Sequence, residues 1–132
     1  MADKTLHLRI IAPERVFYEN DVNFVEFRTT EGEIGVYPNH ISLTSLIEPG
    51  VMKIHEPGGE IKEAALMEGF VEILADRVTI MAEVVEWPNE IDVNRAKEAQ
   101  IRAERRIRDE DGDMDRAELA LKRSIVRQRL AR

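Results

Sequence analysis

The chain has 132 residues, a net charge of −7 and no cysteine, so it fits one ordinary domain with an appendage, and disulfides, thiolate metal sites and a thiol nucleophile are excluded. No apolar run approaches the roughly 20 residues of a membrane span, and the N-terminus, MADKTLHLRI, lacks the apolar core of a signal peptide. A soluble, intracellular protein with a real core is expected.

In chain order, Leu6, Leu8 and Ile10 alternate with His7 and Arg9, the period of a half-buried strand, until Pro13 breaks it. Val16, Phe17 and Tyr18 lead to Glu19-Asn20-Asp21, which reads as a turn, and Val22 to Phe27 alternate again. EGEIGVYPNH, from Glu31 to His40, reads as a turn-rich connection. After Glu48-Pro49-Gly50, Val51 to His55 and Ile61 to Met67 flank Pro57-Gly58-Gly59 as a hairpin. Phe70 to Leu74 form a further strand, and Val78, Ile80, Ala82 and Val84 alternate with Arg77, Thr79, Met81 and Glu83. Such regular short strands predict an antiparallel sandwich or barrel.

From Ile91 onward there is no proline, and the only glycine is Gly112. Two helices joined near Gly112 are expected after a joint at Trp87-Pro88-Asn89, with Asn89 or Glu90 capping the first and Glu90 and Asp92 in its first turn. Ala96, Ala99, Ala103 and Ile107 recur at helical steps, as do Ala117, Ala120 and Ser124, with Leu121 and Ile125 beside them. Small residues facing small residues permit close packing but bury little apolar area, so the hairpin is expected to be marginal alone. The fold class is therefore α+β, with a sandwich over 1–87 and a helical hairpin over 88–132.

Charge is divided unevenly. Residues 1–89 carry seven Lys/Arg against sixteen Asp/Glu, whereas residues 112–132 carry six against three. Beyond Arg116 the only acidic residue is Glu118, among Lys122, Arg123, Arg127, Arg129 and Arg132. A basic helix on an acidic body can fold back on its own domain or meet an acidic partner. Nucleic acid is disfavoured by the acidic body and by the lack of aromatics in the helical part.

No catalytic motif is present, and His7, His40 and His55 are too scattered for a zinc site. Asp92, Arg95 and Arg102 lie near one face of the first helix, and Arg123 and Arg127 share a face of the second. Guanidiniums converging across a hairpin suit phosphate oxygens. Spacing alone favours a solvated face laced by pairs such as Glu98–Arg102 and Glu104–Arg108.

EGEIGVYPNH, EPGV, EGFVEI and RVTIMAE, in that order, resemble the β-sandwich of the epsilon subunit of the rotary F-type ATP synthase. IDVNRA and DMDRAELALKRSIVRQRL resemble that subunit's C-terminal helical hairpin, so the likeness runs from about Leu6 to the end. The resemblance implies a ten-stranded sandwich and a non-catalytic subunit of a proton-translocating complex. The implied partners are the gamma subunit, the ring of c subunits, and the alpha/beta catalytic head through the hairpin. The implied location is peripheral, on the cytoplasmic face of the bacterial membrane ahead of a thylakoid setting. Glu33 and His40 match the family's ring-contacting loop. Extension of the hairpin would inhibit ATP hydrolysis through a basic face of Arg116, Lys122, Arg123, Arg127 and Arg129. ATP is the implied regulatory ligand of the folded hairpin. The family's motif for it falls on Ile91, Asp92, Arg95 and Ala96, with Arg102, Arg123, Arg127 and Glu86 matching further positions. No catalytic cofactor or metal is implied. A purely structural coupling subunit with a permanently docked hairpin is the other reading.

Overall fold

A computed structural model describes residues 4–131. Ten strands form one continuous sheet: β1 (Leu6–Ala12), β2 (Arg15–Val22), β3 (Phe24–Thr29), β4 (Gly32–Val36), β5 (Leu43–Ile47), β6 (Gly50–His55), β7 (Ile61–Leu66), β8 (Gly69–Ile73), β9 (Arg77–Ala82) and β10 (Val85–Glu86). The order is β10-β7-β6-β3-β5-β8-β9-β1-β2, with β4 paired to β3. Every pairing is antiparallel except β1 with β9.

The sheet doubles over so that the inner residues of both halves share one core. Leu6, Leu8, Ile10, Val25, Phe27, Ile54, Val71, Ile73, Val78 and Ile80 all enter it. The strict alternation of β1 and β9 in the sequence therefore corresponds to real inward and outward faces. Close approach also shapes the sheet. A Cβ on Gly69 would lie 2.1 Å from the Met81 carbonyl oxygen, so no other residue fits where β8 begins its antiparallel pairing with β9, opposite Ala82, without the backbone shifting.

Two sequence expectations are corrected within the sandwich. Glu19-Asn20-Asp21 is not a turn: β2 runs straight through it, paired with β1 residue by residue, and the chain reverses at Pro13-Glu14 instead. The run is polar because β2 is an edge strand, and its exposed side chains keep that edge solvated. EGEIGVYPNH is likewise not one connection, because Gly32–Val36 forms a strand against Val25–Thr29. Gly32, at φ 118°, supplies the reversal, while Gly35 sits within the strand opposite Glu26.

After β10 a single 3-10 turn covers Pro88–Glu90, then come α1 (Val93–Arg108) and α2 (Met114–Leu130). The cap of α1 is Asp92, whose carboxylate accepts from the Arg95 amide at 3.1 Å, and not Asn89 or Glu90. Ile91 explains the shift: its extended backbone, at ψ 127°, ends the 3-10 turn and forces the helix to start afresh. Asp113 caps α2 in the same way, and Gly112, at φ 80°, takes the positive-φ position between the helices.

The helices pack on one another through Ala96 and Ala103 of α1 and Ala117 and Ser124 of α2, all buried. The expected small-residue seam is therefore present. Ser124 satisfies its hydroxyl on the Leu121 carbonyl at 2.7 Å, and Gln128 donates across to Gln100 at 2.5 Å. On its other side α2 lies against β6 and β7. There Val126 and Leu130 are buried with Ala65 and Met67, flanked by Val51, Val84 and Ile91. This docking cluster is small, separate from the sandwich core, and its two large helix residues contribute about 1.5–3 kcal/mol each.

Candidate functional site: the docked face of the hairpin

Arg123 and Arg127 are one turn apart on α2, so both point at the sandwich alongside Val126 and Leu130. Arg123 meets Glu68 in the β7–β8 connection, with Nε donating to Oε2 at 3.1 Å and Nη2 in ion contact with Oε1. Arg127 Nε donates to Glu86 Oε1 of β10 at 2.8 Å. All four side chains are 25–30% exposed. Burial, and then the positive charge of Arg127, pull Arg123 below its ordinary pKa. Two guanidiniums are thus brought close together, and each is held there by a carboxylate of the acidic body. Removing either partner leaves a half-buried charge unmatched.

The remaining residues of the expected nucleotide set are spread around this face. Ile91 is half-buried in the docking cluster, Asp92 is committed to its cap and Ala96 is buried in the seam between the helices. Arg95 and Arg102 are exposed on α1, and among the described residues neither forms an ion pair. Glu86 and Arg127 are joined directly, and Arg123 lies near enough to Arg127 to feel its charge, whereas among the described residues no hydrogen bond or ion pair links the side chains of Arg95 or Arg102 to those three. The anticipated i,i+4 pairs are replaced: Glu104 accepts from Gln100, and Arg108 leans on Asp109. Of the basic face, Lys122 is 4.0 Å from Glu48 while Arg116 and Arg129 are exposed. Arg132 lies outside the described residues.

Glu33 is exposed on β4, 3.9 Å from Arg28, and His40 donates from Nδ1 to the Ile41 carbonyl at 2.6 Å. The loop between them and β5 also bares Ile41 and Tyr37, at 84% and 55% exposure.

Sequence reasoning missed a surface on the outer face of the sandwich. Strand register lines up Leu46, Phe70, Met81, Ile11 and Val16 in one row across β5, β8, β9, β1 and β2. Leu46 is 63% exposed, Val16 48%, and Phe70 and Met81 41% each. The adjacent row on that face is Thr44, Glu72, Thr79, Arg9 and Glu19, so the apolar row has a polar border. Each of these apolar residues occupies a position of outward parity, where a polar one is usual. That parity was the available signal, but only register assembles the row.

The chain is thus a sandwich carrying an ion-paired helical hairpin, with an apolar row on its outer face. Among the described residues no cluster suited to a metal ion occurs, and no helix is long and apolar enough to cross a membrane. The β-sandwich domain of the ATP synthase delta/epsilon chain matches residues 5–88, and that chain's long alpha-helix domain matches residues 89–132. This chain belongs to the ATP synthase delta/epsilon chain family. The ATP synthase epsilon chain of Caldanaerobacter subterraneus is 42% identical to it, over 98% of this chain and 95% of that one. That of Halalkalibacterium halodurans is 41% identical, over 93% and 94%. A chain in the cryo-EM structure of the Euglena gracilis mitochondrial ATP synthase, comprising OSCP, F1 and the c-ring, shares the fold with a TM-score of 0.78. It is 22% identical, over 89% of this chain and 76% of that chain.

Proposed function

We propose that this chain is a non-catalytic central-stalk subunit of an F-type ATP synthase, that its hairpin leaves the sandwich to inhibit ATP hydrolysis, and that ATP favours the docked hairpin. The observation that carries this reading is the composition of the docked face. Two arginine–glutamate pairs and a small apolar cluster hold α2, and the same arginines would be free for an acidic partner once the hairpin swings out. Ion pairs of this kind are exchangeable, since a partner's carboxylates can replace Glu68 and Glu86 at little net cost.

ATP shifts such an equilibrium only by its differential affinity for the two states. Exposed Arg95 and Arg102, lacking carboxylate partners among the described residues, support its phosphates being held at the hairpin. Contact with the gamma subunit is supported by the row Leu46–Phe70–Met81–Ile11–Val16, an apolar surface of the kind that partners cover. Contact with the c-ring is supported by the exposed loop of Tyr37, His40 and Ile41, with Glu33 on the neighbouring strand. A peripheral place on the cytoplasmic face of a bacterial membrane follows from those partners.

Deleting the chain beyond Glu90 tests the inhibitory role in the reconstituted complex. Hydrolysis should rise, and an unchanged rate overturns it. Calorimetric titration of the full chain tests the nucleotide: ATP should bind, and Arg95→Ala and Arg123→Ala should each weaken it. No heat at millimolar ATP overturns the nucleotide claim, and an unchanged hydrolysis rate besides leaves the permanently docked, purely coupling subunit as the reading, which the pairing of half-buried Arg123 and Arg127 with carboxylates would then explain.

A further inference from the structure

The joint between sandwich and hairpin is fastened more firmly than a linker needs to be. Trp87 stacks on Phe17 with ring centroids 4.3 Å apart and meets Tyr18 edge-on at 6.2 Å. Both partners belong to β2, on the far edge of the sheet from β10 in strand order. Glu90, at the end of the 3-10 turn, accepts from the Trp87 amide at 2.8 Å and from Arg15 Nη2 at 2.9 and 3.0 Å. Arg15 in turn sits over the Phe17 ring at 5.0 Å. Arginine, aromatic pair and carboxylate thus close a ring of contacts around the turn. The pairing with Arg15, and then the Trp87 amide, hold the Glu90 carboxyl below its ordinary pKa, so it is charged wherever the protein is folded near neutrality.

Packing divides at the same place. Trp87 packs against the main core of the sandwich, whereas Ile91 packs with Val126, Leu130, Ala65 and Met67 in the docking cluster. Between the turn and the first residue of α1 only Ile91 and Asp92 are extended, with ψ of 127° and 102°. Releasing α2 removes every helix-side partner of Ile91 but none of the partners of Trp87 or Glu90.

We infer that Trp87, Arg15 and Glu90 form a latch that keeps the Pro88–Glu90 turn on the sandwich while the hairpin is away, so that the pivot is Ile91–Asp92. The inference rests on the mobile-hairpin reading and sharpens it: the mechanical boundary lies beyond Glu90, not at the Trp87-Pro88 joint. A pivot of two extended residues swings a rigid hairpin about a fixed point. A free linker starting at Val85 would instead let it wander. The latch therefore fixes where the basic face of α2 can reach.

The chain has one tryptophan and no cysteine, so emission reports Trp87 alone and spin labels can be placed without background. The hairpin is forced off in the full chain by Arg123→Glu, Arg127→Glu, Val126→Asp and Leu130→Asp, which set carboxylates against Glu68 and Glu86 and charges into the docking cluster. Labels at Thr44→Cys and Glu98→Cys, both exposed, record the separation. Expected is a widened label distance with Trp87 emission and acrylamide quenching unchanged from the parent. Adding Arg15→Ala to the same background should then red-shift the emission and raise quenching. A red shift with Arg15 intact overturns the latch, and so does an emission indifferent to Arg15→Ala. Because release is imposed, neither result bears on whether the hairpin moves by itself, which the hydrolysis assay decides separately.

Discussion

Arg127 Nε lies 2.8 Å from Glu86 Oε1, joining α2 to β10 across 41 residues of chain, with both side chains only 25% exposed. Arg127→Ala strands a partly buried carboxylate, and loss of one hydrogen bond to a charged group costs about 1.5–3 kcal/mol. Docking should weaken by about that amount, read as faster tryptic cleavage within α2. The double exchange Arg127→Glu with Glu86→Arg should recover much of the loss. If cleavage of the single variant matches the parent, the pair does not hold the hairpin.

The seam between the helices makes a second prediction. Ala103 is buried against α2 at 2% exposure, so Ala103→Leu must push the helices apart. Overpacking of this kind costs about 1–3 kcal/mol. The hairpin should lose helicity on heating before the sandwich melts, seen as an earlier far-ultraviolet transition while Trp87 emission is still unchanged.

Much of this was legible in the sequence, for identifiable reasons. Strict alternation in Leu6–Ile10 and Val78–Ala82 needs only local sterics and one buried face, so β1 and β9 were readable. Ala96, Ala103 and Ala117 likewise declared their seam by spacing alone. Glu19-Asn20-Asp21 misled because polar residues on an edge strand look like a turn, and being an edge is a property of the whole sheet. Asp92 was misplaced because Ile91, an ordinary helix residue by composition, is held extended by tertiary contacts. The partners of Arg123 and Arg127 were invisible. Glu68 and Glu86 are two of sixteen acidic residues before position 90; the family resemblance marks Glu86 without pairing it to an arginine, and only the fold selects Glu68 and matches each carboxylate to its guanidinium.

Gly69 tests the sheet. A methyl group there would meet the Met81 carbonyl at 2.1 Å and the Ala82 Cα at 2.9 Å, both backbone atoms that cannot rotate away. Gly69→Ala should lower the melting temperature by the equivalent of about 1–3 kcal/mol or more. Gly58→Ala, in open space, should leave it nearly unchanged. Equal melting of the two variants would mean that β8 and β9 approach less closely than described.

The apolar row predicts a separation of binding from stability. Phe70 is 41% exposed and outward, so Phe70→Glu removes little core packing. It should leave melting within about 0.5 kcal/mol of the parent, as surface substitutions do. Association with the gamma subunit, measured by co-purification and calorimetry, should fall sharply, since a charge would sit amid Leu46 and Met81. Full binding by Phe70→Glu would remove this row from the interface.

His7 carries a pH dependence whose sign is fixed by its neighbours. Its Nε2 is 2.7 Å from Glu19 and its Nδ1 2.8 Å from Asp21, so both ring nitrogens donate only when the imidazole is protonated. Hydrogen bonding to Glu19, and then to Asp21, raises its pKa above the ordinary 6.5. A raised folded-state value means the cation is favoured by folding, so its contribution is fully present below pH 6.5 and fades as pH climbs through the folded value. Proton NMR of the ring C–H resonances should give a His7 midpoint above 6.5, displaced downward more by Glu19→Gln than by Asp21→Asn. The exposed clamp should also weaken with salt. A midpoint at or below 6.5 would show that the edge strand's carboxylates do not hold the ring.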